Sequence, residues 1–150
     1  MQTKSAARNI FYGGSLFFLF LLIALVAHSH FYITGTSTDE STLSAEVLRG
    51  KKVWEHNACI DCHTILGEGA YFAPELGNAC NRMDGDDEKF VMSDGKQAIM
   101  DWIEAQPTGT PGRRQMPNFN LSKEDLSAVA SFLCWTTTIK TKGWPPKESG

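Results

Sequence analysis

Residues Ile10 to Ala27 carry no charge and are dominated by Phe, Leu, Ile and Val. As a helix, the run spans about 27 Å at about 1.5 Å per residue, close to a bilayer core of about 30 Å. A cleaved signal peptide is the competing reading. It needs a shorter apolar core and an A-x-A-like site, whereas this run ends in Val26-Ala27-His28-Ser29-His30. The sequence therefore predicts a retained single-pass anchor in membrane lipid over residues 1–33, with Tyr12 and Tyr32 as interfacial aromatics. A Ser/Thr-rich tether follows over 34–43, and one domain of ordinary size over 44–150.

Charge sets the expected orientation. Lys4 and Arg8 precede the span, and no Lys or Arg follows it until Arg49. Positive flanks stay inside, which predicts an N-terminus in the cytoplasm and a domain outside, on the periplasmic side of the inner membrane if the source is a Gram-negative bacterium. The whole chain has net charge −3. Of its 14 Lys and Arg, setting aside Lys4 and Arg8 leaves 12 against 17 acidic residues, near −5. Such a surface argues against nucleic acid as a partner. Four of the acids fall in Asp84 to Glu88, either a solvated loop or a feature that steers a basic partner.

Helical periodicity recurs three times after the tether. Ser44 to Asn57 places Val47, Gly50 and Trp54 on one face, with Ser44 as N-cap. Gly95 to Gln106 aligns Ala98, Ile99, Trp102 and Ile103, and Pro107 marks its end. Ser122 to Thr137 opens like a capping box with Asp125 for Glu, and its apolar face is Leu126, Val129, Ala130 and Leu133. No strand alternates convincingly. The fold class is all-α, with long loops at 64–93 and 107–121. Loops of that length need an organiser, and a large apolar cofactor would serve.

Cys59-Ile60-Asp61-Cys62-His63 supplies one. C-x-x-C-H is the attachment signature of a c-type haem. Two thiols three residues apart reach the two vinyl groups of one porphyrin, and the next residue projects an imidazole onto the iron. A thioredoxin-like pair would want a βαβ context, and a zinc site a second ligand pair, which Cys80 and Cys134 do not make. Cys59 and Cys62 are thus the expected thioethers and His63 the expected axial ligand.

The sixth iron position needs a second candidate. His28 and His30 belong to the membrane boundary, and His56 lies on the motif helix. Among Met83, Met92, Met100 and Met116, the last follows a Pro/Gly-rich stretch and precedes Pro117, so a rigid loop can present its thioether. His/Met ligation raises the reduction potential and leaves no open position, which suits electron transfer. Pro74 lies eleven residues after His63, where small class I cytochromes c commonly place the proline whose carbonyl receives the ligand's other N–H. Arg113 and Arg114 are candidates for haem propionates or for a solvent-facing pair.

Three segments extend the pattern: GEGAYFAPELGN at 67–78, QPTGTPGRRQMPNF at 106–119, and the terminal Trp144-Pro145-Pro146. With ARNIFYGGS at 7–15, they resemble the small, haem c-carrying member of cytochrome bc-type respiratory nitric oxide reductase, over nearly the whole chain. The resemblance implies a single transmembrane helix followed by a class I cytochrome c-like domain with one haem c. The partner it implies is a large polytopic catalytic subunit with haem b, which reduces two NO to N2O and water in denitrification. This chain would be non-catalytic. It would take electrons from a soluble cytochrome c or cupredoxin and pass them to haem b. The resemblance also implies an interfacial calcium, to which the backbone oxygens of Gly69 and Tyr71 contribute.

Cys80 and Cys134 do not belong to the family pattern. In an oxidising compartment they read first as a disulfide, with two separate buried thiols as the alternative. Three other functions share some of these features. They are a monohaem component of a haem-copper oxidase, a free-standing anchored shuttle, and a haem-based gas sensor. The short tether fits fixed docking better than shuttling, and a sensor would need a displaceable sixth ligand.

Overall fold

The computed structural model describes residues 3–84 and 92–144. Most of the acidic run Asp84–Glu88, together with Pro145 and Pro146, lies outside the described residues. The chain forms two units, Met1–Thr38 and Asp39–Gly150.

The first unit is helix α1, Lys4–Tyr32, capped by the Thr3 hydroxyl, which accepts from Ala6 N. It buries none of its residues, and Phe17, Phe18, Phe20 and Leu22 all project outward. Lys4–Ser37 as a whole is long and apolar enough to cross a membrane. The helix does not stop at Ile33. A π-helical turn carries it through Ile33–Ser37, so the first residues expected in the tether are helical. Helical backbone is the form that a chain leaving a bilayer keeps while its carbonyls still lack water. Extended backbone begins at Thr38.

The second unit is built on three longer helices: α2 (Ala45–His56), α4 (Met92–Glu104) and α5 (Lys123–Thr136), with the short α3 (Ala79–Met83) between the first two. Both expected caps are formed. Ser44 Oγ accepts from Val47 N at 3.2 Å, and Ser122 Oγ accepts from Asp125 N at 3.1 Å. Ser122 Oγ also donates to Asp125 Oδ2 at 2.9 Å, a side-chain bond in place of the box's return bond to the N-cap N–H. α4 starts three residues before the glycine expected to open it, and ends at Glu104.

The core joins Val47, Val53 and Trp54 of α2 to Val129, Phe132 and Leu133 of α5, with Ile99, Ala79 and Cys80 closing it. Trp54 and Phe132 pack with ring centroids 6.3 Å apart. Burying each large apolar side chain contributes about 2 kcal/mol, which is what fixes α2 across α5. Trp102, expected on the apolar face of α4, is 53 % exposed and stands outside this core.

Cys80 of α3 and Cys134 of α5 are joined in a disulfide, with a Cα–Cα distance of 4.9 Å. Both are fully buried. The region expected to be loop also holds a two-stranded antiparallel hairpin, β1 (Thr64–Ile65) with β2 (Glu68–Gly69), immediately after His63.

Candidate functional site

The C-x-x-C-H segment begins where α2 ends. Asn57 closes the helix, its Nδ2 donating to Val53 O at 2.8 Å. Ala58 then takes a left-handed conformation, φ 51°, at a cost of about 1 kcal/mol for a non-glycine. That turn feeds a 3-10 helix, Cys59–Asp61, and His63 N donates to Cys59 O at 2.9 Å. The two thiols and the imidazole thus leave the domain from one tight turn.

Cys59 and Cys62 are not disulfide-bonded and both are half-buried. Burial pushes the Cys59 thiol up to about 11, so it is protonated at neutral pH. His63 Nδ1 lies 2.8 Å from Pro74 O. With the carbonyl as acceptor, Nδ1 carries the proton and Nε2 is left with its lone pair. Burial also lowers the tendency of His63 to take a second proton, against the opposing pull of the Pro74 carbonyl. A neutral imidazole with a fixed tautomer is the form that ligates a metal.

The GEGAYFAPELGN stretch folds back on this turn through three main-chain bonds. Ala70 N donates to Ile60 O at 3.0 Å, Ala73 N to Cys62 O at 2.8 Å, and Leu76 N to Thr64 O at 2.8 Å. Gly69 makes the close approach possible. Its φ is 121°, and a Cβ there would sit 2.3 Å from His63 O. The side chains of Tyr71 (73 % exposed) and Phe72 (53 % exposed) point outward from the same stretch. Among the described residues, no cluster of three His, Cys, Asp or Glu side chains could hold a metal ion.

Of the four candidate methionines, Met83 and Met100 pack against the core and Met92 is exposed at the start of α4. Met116 is half-buried in the loop between α4 and α5, outside the core cluster. Gln115, which the sequence did not flag, staples the chain ahead of it. Its Oε1 accepts from Gly109 N at 3.1 Å, and its Nε2 donates to Thr110 O at 3.1 Å and Arg113 O at 3.2 Å. Arg114 crosses to the other loop, where Nη1 donates to Phe72 O and the guanidinium lies 4.5 Å over the Phe72 ring. Arg113 is exposed.

These groups fit a covalently held haem. Two unpaired thiols and a neutral imidazole share one turn, and a half-buried thioether lies in a stapled loop. When bound, the haem supplies one-electron redox chemistry.

Comparison with known proteins agrees. A family model described as Cytochrome c matches residues 47–137. The nitric oxide reductase C subunit of Paracoccus denitrificans is 51 % identical over 153 residues, covering 100 % of this chain and 98 % of that protein. Its counterpart in Halomonas halodenitrificans is 53 % identical over 148 residues, covering 99 % of this chain and 97 % of that one. The counterpart in Stutzerimonas stutzeri is 49 % identical over 148 residues with the same coverages.

Proposed function

This chain belongs to the family of nitric oxide reductase C subunits, with a cytochrome c domain and an N-terminal helix able to cross a membrane, and on that footing we propose that it is the point at which electrons enter the complex. It takes them one at a time from a soluble cytochrome c or cupredoxin and passes them to haem b of a large catalytic subunit, where NO is reduced. No step of NO chemistry takes place on this chain.

The observation that carries the reading is the 2.8 Å contact between His63 Nδ1 and Pro74 O, beside two unpaired thiols. Cys59 and Cys62 would hold the haem as thioethers, and His63 would ligate its iron through Nε2. Met116 would be the second iron ligand, since the other described methionines are engaged in the core or exposed at a helix start. Filling both axial positions keeps small ligands off the iron and keeps the reorganisation on electron transfer small. Arg114 is engaged with Phe72, which leaves Arg113 as the propionate partner. Gly69 and Tyr71 lend backbone oxygens to a calcium shared with the catalytic subunit. Main-chain carbonyls suit so hard a cation.

Lys4 and Arg8 ahead of the span support an N-terminus in the cytoplasm and a haem domain in the periplasm. Two observations test the proposal. The wild-type reduced haem c should leave its spectrum unchanged under CO, whereas Met116→Ala should bind CO. Detergent-solubilised chain should co-purify with a haem b protein. CO binding by the wild type, or a lone monohaem cytochrome in detergent, would contradict it.

A further inference from the structure

Three backbone N–H groups converge on one carboxylate in the turn behind His63. Leu66 N donates to Glu75 Oε1 at 2.7 Å, Gly67 N to Oε2 at 3.2 Å, and Gly77 N to Oε1 at 2.8 Å. Glu75 is only 8 % exposed. Its main chain is held as well. It pairs with Thr64 in a parallel bridge, and its carbonyl accepts from Arg82 Nη2 at 2.8 Å.

The position of this hub matters. Thr64 follows His63 and Glu75 follows Pro74, so the Glu75 contacts lie on both sides of the His63–Pro74 bond. Leu66 is a non-glycine with φ 54°, a conformation that costs about 1 kcal/mol and that persists only when something outside the residue holds it. The bond from its N–H to Glu75 is such a hold. A carboxylate is the side chain suited to the task. Ionised, it only accepts, and its two oxygens serve three donors. An amide would offer one oxygen and turn its own N–H groups towards backbone donors. Burial pushes the Glu75 carboxyl up. The Thr64 hydroxyl, which lies near without a formed hydrogen bond, and the N–H groups of Gly77, Gly67 and Leu66 pull it down, and together they outweigh burial, so the net shift is downward.

We propose that Glu75 is a positioning residue for the iron ligand: its carboxylate locks residues 64–67 against 74–77, so that the Pro74 carbonyl stays on His63 Nδ1 and sets the orientation and basicity of the imidazole. This rests on His63 being the axial ligand. A ligand whose second nitrogen donates to a well-held acceptor is more basic and favours ferric over ferrous iron. Loosening the acceptor therefore raises the reduction potential.

The test uses the intact complex with Glu75→Gln and Glu75→Asp. Asp keeps the charge and lacks the reach to serve all three donors, so it separates geometry from charge. Each variant is read for covalent haem content, for the haem c midpoint potential, and for the largest g value of the low-spin ferric signal, which follows the ligand plane. The expected result is full haem attachment in both variants, with an upward potential shift and an altered g value in both. An unchanged potential and signal in both would overturn the proposal. So would a potential that shifts in Gln while Asp matches wild type, since that outcome needs only the charge. Failure of the underlying site reading looks different: His63→Ala would keep the wild-type low-spin signal, whatever Glu75 does.

Discussion

Gly50 of α2 lies against the main chain of Ala128 in α5: a Cβ on Gly50 would sit 1.9 Å from the Ala128 carbonyl oxygen and 2.7 Å from Phe132 Cβ. The two helices thus cross at backbone contact, beside the Trp54–Phe132 pair. This crossing sets the direction in which α2 delivers the chain into Cys59.

Gly50→Ala therefore reverses the usual preference. In a helix interior, Ala is favoured over Gly by about 1 kcal/mol. Here the methyl meets backbone, which cannot rotate away, and the helices must part. A net loss of about 2 kcal/mol is expected from overpacking. Chemical denaturation of the detergent-solubilised chain, followed by haem absorbance, checks it. A more stable variant would show that the crossing is looser than 1.9 Å implies.

The disulfide ties α3 to α5 across a sequence separation of 54 residues. In the chain-entropy model, closing a loop of that size stabilises by about 4 kcal/mol. Replacing both Cys80 and Cys134 by Ser should lower stability by about that amount while leaving covalent haem content unchanged, because neither thiol is in the attachment turn. A thiol titration of the unreduced holoprotein should find no free cysteine. Two titratable thiols would contradict the bridge.

Acid should destabilise the domain in a definite window. The Glu46 carboxyl is held below its ordinary value of 4.5 first by the Ser127 hydroxyl at 2.7 Å and then by Lys96 at 2.9 Å. Glu75 is shifted in the same direction. Folded values below unfolded ones mean that the unfolded chain binds more protons, so stability rises with pH through this range. The contribution is complete above about pH 4.5 and is lost as pH falls through the depressed folded values. Denaturant midpoints between pH 6 and pH 3 should fall, and Glu46→Gln should flatten the fall. A midpoint that holds steady on acidification would contradict the assignment.

Gln115→Ala removes the staple ahead of Met116. Without the bonds to Gly109, Thr110 and Arg113 the loop gains freedom, and Met116, as the proposed second iron ligand, would spend less time on the iron. The expected outcome is a weaker methionine–iron charge-transfer absorbance in the ferric protein and partial CO binding in the ferrous one. Covalent haem content should not change. A wild-type spectrum would assign the staple to the loop alone.

The parts that were legible in the sequence share a physical basis. Ser44 and Ser122 announce helix starts through local bonds, and the apolar faces of α2 and α5 follow a period that burial enforces. The C-x-x-C-H turn is legible because its chemistry needs that spacing. Pro74 was legible only through a family's habitual distance. What escaped detection is short or long-range. α3 has five residues and each hairpin strand two, too few for a period to show. Glu75 and Gln115 bind backbone groups, and nothing in residue type says which N–H or carbonyl they will meet. Trp102 read as core because periodicity records spacing and not which side the neighbours occupy.

The order of electron arrival decides whether this chain is the point of entry. Oxidised complex is mixed with a reduced soluble cytochrome c, and haem c and haem b are followed at separate wavelengths. Haem c should be reduced first, and haem b should follow at the rate at which haem c is reoxidised. Met116→Ala should slow the second phase. Reduction of haem b ahead of haem c, or at an undiminished rate when haem c stays oxidised, would contradict electron entry through this chain.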